Sequence, residues 1–165
     1  MSDDFNPAEQ PKWRSFGSNA ALSVEATRLL VKGEPAGWTV AIDVAPIENR
    51  ETQWPRKVSL MVSETELPIL ASVLLGYLPK CQFQRSGKGI YIERQPGKLF
   101  LRGSHQAENY ALPLTIGATF HFSALVLQQL QKHCGGIETD TMLAALRGSA
   151  ALYQLKQESV LVNQV

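Results

Sequence analysis

Cysteine is scarce in this 165-residue chain: Cys81 and Cys134 are the only two, and neither has a CxxC partner or metal-ligand spacing around it. They read as reduced, partly buried thiols rather than as a disulfide or a zinc site. The three histidines, His105, His121 and His133, lack HxxxH spacing and the adjacent carboxylate of a zinc motif, and Cys134 has no placed catalytic base. No catalytic residue, metal site or cofactor is therefore expected, and enzyme function is disfavoured. SGKG at 86–89 lacks the leading glycine and the following Ser/Thr of a phosphate loop, so it reads as a hairpin turn between Arg85 and Ile90. Long apolar runs are also missing. The opening MSDDFNPAEQPKW has no apolar h-region and no stretch approaches membrane-spanning length, which gives the expectation of a cytoplasmic protein without a membrane partner.

Composition is that of a globular domain, 44% hydrophobic and 19% charged, long enough for one substantial core. The formal net charge of +1 conceals a bias. Between Arg50 and Arg102 nine basic residues stand against four acidic ones, a local excess of five, while the flanks carry the acidic balance. A cationic face on a nearly neutral protein suits a polyanion held by one defined surface.

Residues 1–16 are polar, contain Pro7 and Pro11, show no periodicity and read as a flexible arm. Alternation then begins at Ala20, Leu22 and Val24, with an apolar stretch at Leu29–Val31, a turn at GEPAG, and alternation again at Trp38, Val40, Ile42 and Val44. Val58, Leu60 and Val62 give a further strand. At Ser63 the period changes: SETE is a capping box, and Leu67, Leu70, Ala71, Leu74 and Leu75 follow at helical spacing to about Gly76. Strands are expected near 81–85, 89–94, 98–103 and 108–114, then a helix over ATFHFSALVLQQLQKH closed by Gly135-Gly136. A last helix, starting near Thr139 and Asp140, places Leu143, Leu146, Ala150 and Tyr153 on one side. The fold class is α+β: four strands and a helix, twice, plus a C-terminal helix.

IYIERQPGKLFLR at 90–102 poses the functional question. With Pro96-Gly97 as a two-residue loop, Ile90, Ile92, Leu99 and Leu101 share one face, and Tyr91, Glu93, Lys98, Phe100 and Arg102 share the other. The first set is core. The second puts rings and cations where water is expected, and single-stranded nucleic acid needs that combination, because rings stack on bases while cations follow phosphates. Arg85 and Lys88 extend the cationic set, and TQWPRK adds Trp54 with Arg56 and Lys57 in a loop. A bland reading stands beside this one: the rings are core beneath a helix or a neighbouring protomer, and Trp54 only covers a sheet edge.

Several segments, in order, resemble the Whirly family of single-stranded DNA-binding proteins and, more loosely, positive-cofactor-type coactivators and mitochondrial guide-RNA-binding proteins. SNAALSVE resembles the family's KGKAALTVE, TQWPRKVSLMVSETELPILASVL its YDW-x-KK segment with the following strand and helix, KCQFQRSG its CEFFHD, and YALPLT its F-x-VPVT. The resemblance implies two four-stranded antiparallel sheets packed crosswise, helices that assemble a homotetramer, and single-stranded nucleic acid along sheet edges between protomers. It divides the chain into an arm (1–16), a Whirly-like nucleic-acid-binding domain (17–134), a C-terminal helix (135–156) and a tail (157–165). The family's two lysines fall at Gly17 and Asn19, so Asn19 offers hydrogen bonds in place of charge, while Trp54 and Lys57 match. The implied function is binding of single-stranded DNA, or RNA, with low sequence specificity, in transcription regulation or DNA maintenance. The alternative is an oligomeric structural or protein-interaction module that has lost the ligand.

Overall fold

The structure, a computed structural model, describes residues 11–163. Its elements are β1 (Lys12–Phe16), β2 (Ala20–Val31), β3 (Glu34–Glu48), β4 (Glu51–Thr52), β5 (Val58–Met61), α1 (Glu66–Leu74), β6 (Lys80–Arg85), β7 (Lys88–Gln95), β8 (Lys98–His105), β9 (Glu108–Leu114), α2 (Ile116–His133) and α3 (Thr139–Asn163). Two antiparallel sheets result. The first runs β1-β2-β3, with β5 along β3 and the two-residue β4 at its end; the second runs β6-β7-β8-β9. The first sheet thus has four full strands, and the expected repeat of four strands and a helix is present, followed by the expected C-terminal helix.

Strand alternation builds the core. Leu22, Val24, Val40, Ile42, Val44, Val58 and Leu60 from the first sheet meet Cys81, Phe83, Ile90, Ile92, Leu99, Leu101 and Leu112 from the second in one buried cluster. Gln95 pairs with Lys98 across Pro96-Gly97 and Ile92 with Leu101, the register that burial demanded. Gly103 is what lets the sheets approach, since a Cβ built on it would stand 2.9 Å from Val44 Cβ. Burial pushes the Cys81 thiol up to about 12, so it stays protonated at neutral pH.

The helices are fixed by local chemistry. Ser63 Oγ accepts from Glu66 N at 3.2 Å and Glu66 Oε1 accepts from Ser63 N at 3.0 Å, the reciprocal capping box read from SETE. At the other end of α1, Arg94 Nη1 donates to the Val73 and Leu74 carbonyls at 3.0 and 3.1 Å, satisfying acceptors that the helix leaves open. Gln129 on α2 is buried, and its amide donates to Thr27 O at 3.1 Å and Thr39 O at 2.8 Å, tying helix to sheet. His133, at the end of α2, accepts at Nδ1 from Trp38 N and meets Glu64 through Nε2.

Two boundaries and one helix face differ from the sequence reading. Lys12–Phe16, within the expected arm, forms β1, because its alternation pairs in register with β2 and places Trp13 against the core; Met1–Gln10 lie outside the described residues. A five-residue strand is too short for its period to stand out beside prolines. On α3 the buried stripe is Met142, Leu146 and Ala150, with Leu143 only half-buried. That helix also runs on to Asn163, through most of the expected tail.

Gly103→Ala is expected to lower stability by about 1–3 kcal/mol through overpacking against Val44. Urea denaturation followed by circular dichroism checks this.

Candidate nucleic-acid interface

β7 and β8 carry the first part of the site on the face of the second sheet turned away from the core. Across this face Tyr91 lies beside Arg102 and Glu93 beside Phe100. The Tyr91 and Phe100 rings meet edge to face at 6.3 Å, and the Arg102 guanidinium sits 4.9 Å from the Tyr91 centroid. Both rings are half-buried, so neither is core. Lys98 is exposed at the hairpin turn, and neither it nor Arg102 makes an ion pair among the described residues. An anion shares the patch. The Tyr91 hydroxyl donates to Glu93, and Gln95 Nε2 donates to it at 2.9 Å. These two hydrogen bonds hold the Glu93 carboxyl below the usual range, and the bond to Glu93 raises Tyr91.

The second part belongs to the outer face of the first sheet. Trp54 opens a 3-10 turn, Trp54–Arg56, whose Pro55 presets the backbone. The Arg14 guanidinium lies 4.7 Å from the Trp54 ring centroid. Phe16, two residues along β1 on the same face, is 61% exposed. Asn19 is exposed in the β1–β2 turn, where its carbonyl accepts from Ile47 N at 2.9 Å. Gly17, in that turn, packs so closely that an added Cβ would meet Leu112 Cβ at 3.0 Å. A side chain there would press on β9.

Four of the expected cations are occupied within the fold. Arg56 pairs with Glu48 at 2.6 Å and Glu108 at 3.4 Å, joining the end of β3 to the β8–β9 turn, and the hydrogen bond to Glu48 holds its pKa above the ordinary value. Lys57 pairs with Asp43 at 3.1 Å. Arg85 pairs with Glu66 at 2.6 Å and donates to Met61 O at 3.0 Å, fixing the β6–β7 hairpin to α1 and β5. Lys88 donates to Ser59 O at 2.6 Å, a strap between the sheets. Intramolecular acids answer much of the positive charge that composition suggested for this surface.

Tyr91, Phe100, Arg102 and Lys98 therefore form one patch, and Trp54 forms another with Arg14. Both sheets turn their apolar faces to a shared core, so the two patches point away from each other. Arg14 and Phe16 were missed by the sequence reading. Their signal was the alternation of Lys12, Arg14 and Phe16 against Trp13 and Ser15, hidden by assigning the segment to an arm.

Burial raises the Glu66 carboxyl, but hydrogen bonds from Arg85 and Ser63 outweigh it and hold the group below the usual range. A depressed carboxyl contributes stability above its unfolded pKa and loses that contribution as pH falls through the folded one. Glu66→Gln should therefore be less stable than the parent near neutrality, with the gap closing in acid. Paired thermal melts at about pH 7 and about pH 3 check the sign.

No protein-family model and no curated protein sequence matches this chain. Solved structures do. The chain is similar to WHY3 of Arabidopsis thaliana, at 18% identity and a TM-score of 0.59, over 86% of this chain and 96% of that one. It is similar to the trypanosome proteins MRP1/MRP2 at 13% identity and a TM-score of 0.56, over 75% and 94% of the two chains. A guide-RNA-binding protein complex bound to a gRNA gives 12% identity and a TM-score of 0.57, over 76% and 93%. Two four-stranded sheets, each followed by a helix, and nearly full coverage of those structures define what is carried here: the Whirly-like fold.

Proposed function

We propose that this protein is a non-enzymatic, oligomeric binder of single-stranded nucleic acid, DNA in preference to RNA, acting in the cytoplasm in transcription regulation or DNA maintenance. The observation that carries the reading is the pair of ring-and-guanidinium platforms, Arg102 on Tyr91 and Arg14 on Trp54, each on an outward sheet face with its cation free of an ion pair among the described residues. A ring offers a stacking surface to any base and a guanidinium offers donors to a phosphate, so most positions along the strand are held without regard to sequence. The fold shared with a guide-RNA-binding protein complex bound to a gRNA supports the same class of ligand.

Because the platforms are opposed, assembly would let one strand pass from a platform on one protomer to the other platform on a neighbour. Ile116 and Phe120 on α2 are 76% and 66% exposed, and Leu152 and Leu155 on α3 are 69% and 61% exposed, which supplies apolar helix surface for assembly. A tetramer is the expected state. Light scattering at micromolar concentration should return about four times the 18.2 kDa chain mass; a stable monomer removes this part of the proposal.

The second reading, an interaction module without nucleic acid, draws on the internal pairing of Arg56, Lys57, Arg85 and Lys88. Fluorescence anisotropy with matched ssDNA, ssRNA and duplex at graded salt separates the two, because the module binds none of them. Alanine at Trp54, Tyr91 or Phe100 should weaken ssDNA binding by about 1–3 kcal/mol for each base left unstacked, with little change in salt slope. Alanine at Lys98 or Arg102 should reduce that slope by about 0.7 for each phosphate no longer neutralised. Lys88→Ala and Arg85→Ala should lower stability and change the slope less than alanine at Lys98 or Arg102, since both side chains are already engaged within the fold.

A further inference from the structure

One buried hydroxyl stands alone. Ser23 is 2% exposed, and its hydroxyl has no hydrogen-bond partner among the described residues. Nearly all buried hydroxyls are paired, and an unpaired one costs stability, so the exception needs a cause. Register gives its surroundings. Arg14, Ser23, Asp43 and Ser59 form one row across β1, β2, β3 and β5 on the outer face, flanked by the small buried residues Ala21 and Ala45. The Trp54–Arg14 stack stands at one end of the row, and Lys57, three residues after Trp54, is bound to Asp43 at the other.

In order, the row presents a donor, a group that both donates and accepts, and an acceptor. Arg14 has only N–H groups. Asp43 receives Ser59 Oγ at 2.5 Å and Lys57 Nζ at 3.1 Å, one on each oxygen, and each oxygen keeps a further lone pair. Adjacent strands are about 4.8 Å apart, close enough for three neighbouring side chains to converge on the edge of one base.

We propose that this row reads the Watson–Crick edge of a single unstacked base and selects one with a carbonyl at one end and an amino group at the other, that is, cytosine or guanine. The inference rests on the nucleic-acid reading above and adds to it one selective position on an otherwise tolerant surface. The base stacks on Trp54, and the Arg14 guanidinium turns from the ring to donate to the base carbonyl. That movement must also uncover Ser23, whose hydroxyl is otherwise closed to solvent, and Ser23 then gains its missing partner at the ring nitrogen: it donates to N3 of cytosine or accepts from N1–H of guanine. Asp43 accepts from the amino group. Thymine and uracil carry carbonyls at both ends and would set an oxygen against the Asp43 carboxylate; adenine has the amino group but no carbonyl for Arg14. Stacking alone cannot make this distinction, because cytosine and uracil have rings of the same size.

The test is anisotropy with oligo-dC and oligo-dU of about 12 nucleotides, and with oligo-dU carrying one central dG or one dI, which lacks the amino group. Oligo-dC should bind about tenfold tighter than oligo-dU, and the dG strand tighter than the dI strand. Asp43→Asn, whose amide can present either group, should bring oligo-dC and oligo-dU within about twofold. Ser23→Ala should weaken oligo-dC binding about three- to tenfold without lowering the melting temperature, since it removes an unpaired hydroxyl. Equal binding of oligo-dC and oligo-dU by the parent protein overturns this inference and leaves the proposed function standing. A preference that survives Asp43→Asn, or a Ser23→Ala variant that binds oligo-dC unchanged or melts lower, also overturns it. Binding to none of the strands overturns both.

Discussion

Everything on the surface of this protein follows from two sheets sharing one apolar core. Period-two alternation gives each strand one face rich in large apolar side chains, and the close approach at Gly103 and Val44 brings those faces together. The remaining faces must then point outward on opposite sides of the molecule. Rings on those faces have no core to enter. Tyr91, Phe100 and Trp54 are accordingly held half-buried by an edge contact or a guanidinium, and their surfaces stay available.

Charge behaves in a way that counting could not reveal. The basic excess between Arg50 and Arg102 is real, yet Arg56, Lys57, Arg85 and Lys88 join strands, turns and α1 to one another. Arg94 closes the end of α1. The cations of the two patches that make no ion pair among the described residues are Arg102 and Lys98 on the second sheet and Arg14 on the first. A surface so arranged exerts only a weak long-range pull on polyanions, and Glu93 lowers the local potential further.

Gly17 has a structural role of its own. Gly17 is pressed against Leu112, so the β1–β2 turn lies tight on the second sheet, and β1 presents Arg14 rather than the turn as its free cation. A side chain on a paired strand has fewer conformations open to it than one in a turn.

How much was legible in advance depends on the range of the interaction. The capping box at Ser63, the strands and helices with clear periods, and the 90–102 register were determined by the sequence itself, because each rests on residues a few positions apart and on one dominant rule of burial. The order of the Whirly-like segments carried the two-sheet topology as well. Which cations are free was decided only by tertiary structure, since Arg56 meets Glu108, Arg85 meets Glu66 and Lys88 meets Ser59 across long stretches of chain. The same is true of Arg14 and Ser23. A short strand beside prolines has too weak a period to announce itself, and a serine in a strand looks like any other until pairing places it in a row with Arg14 and Asp43 and burial leaves its hydroxyl without a partner.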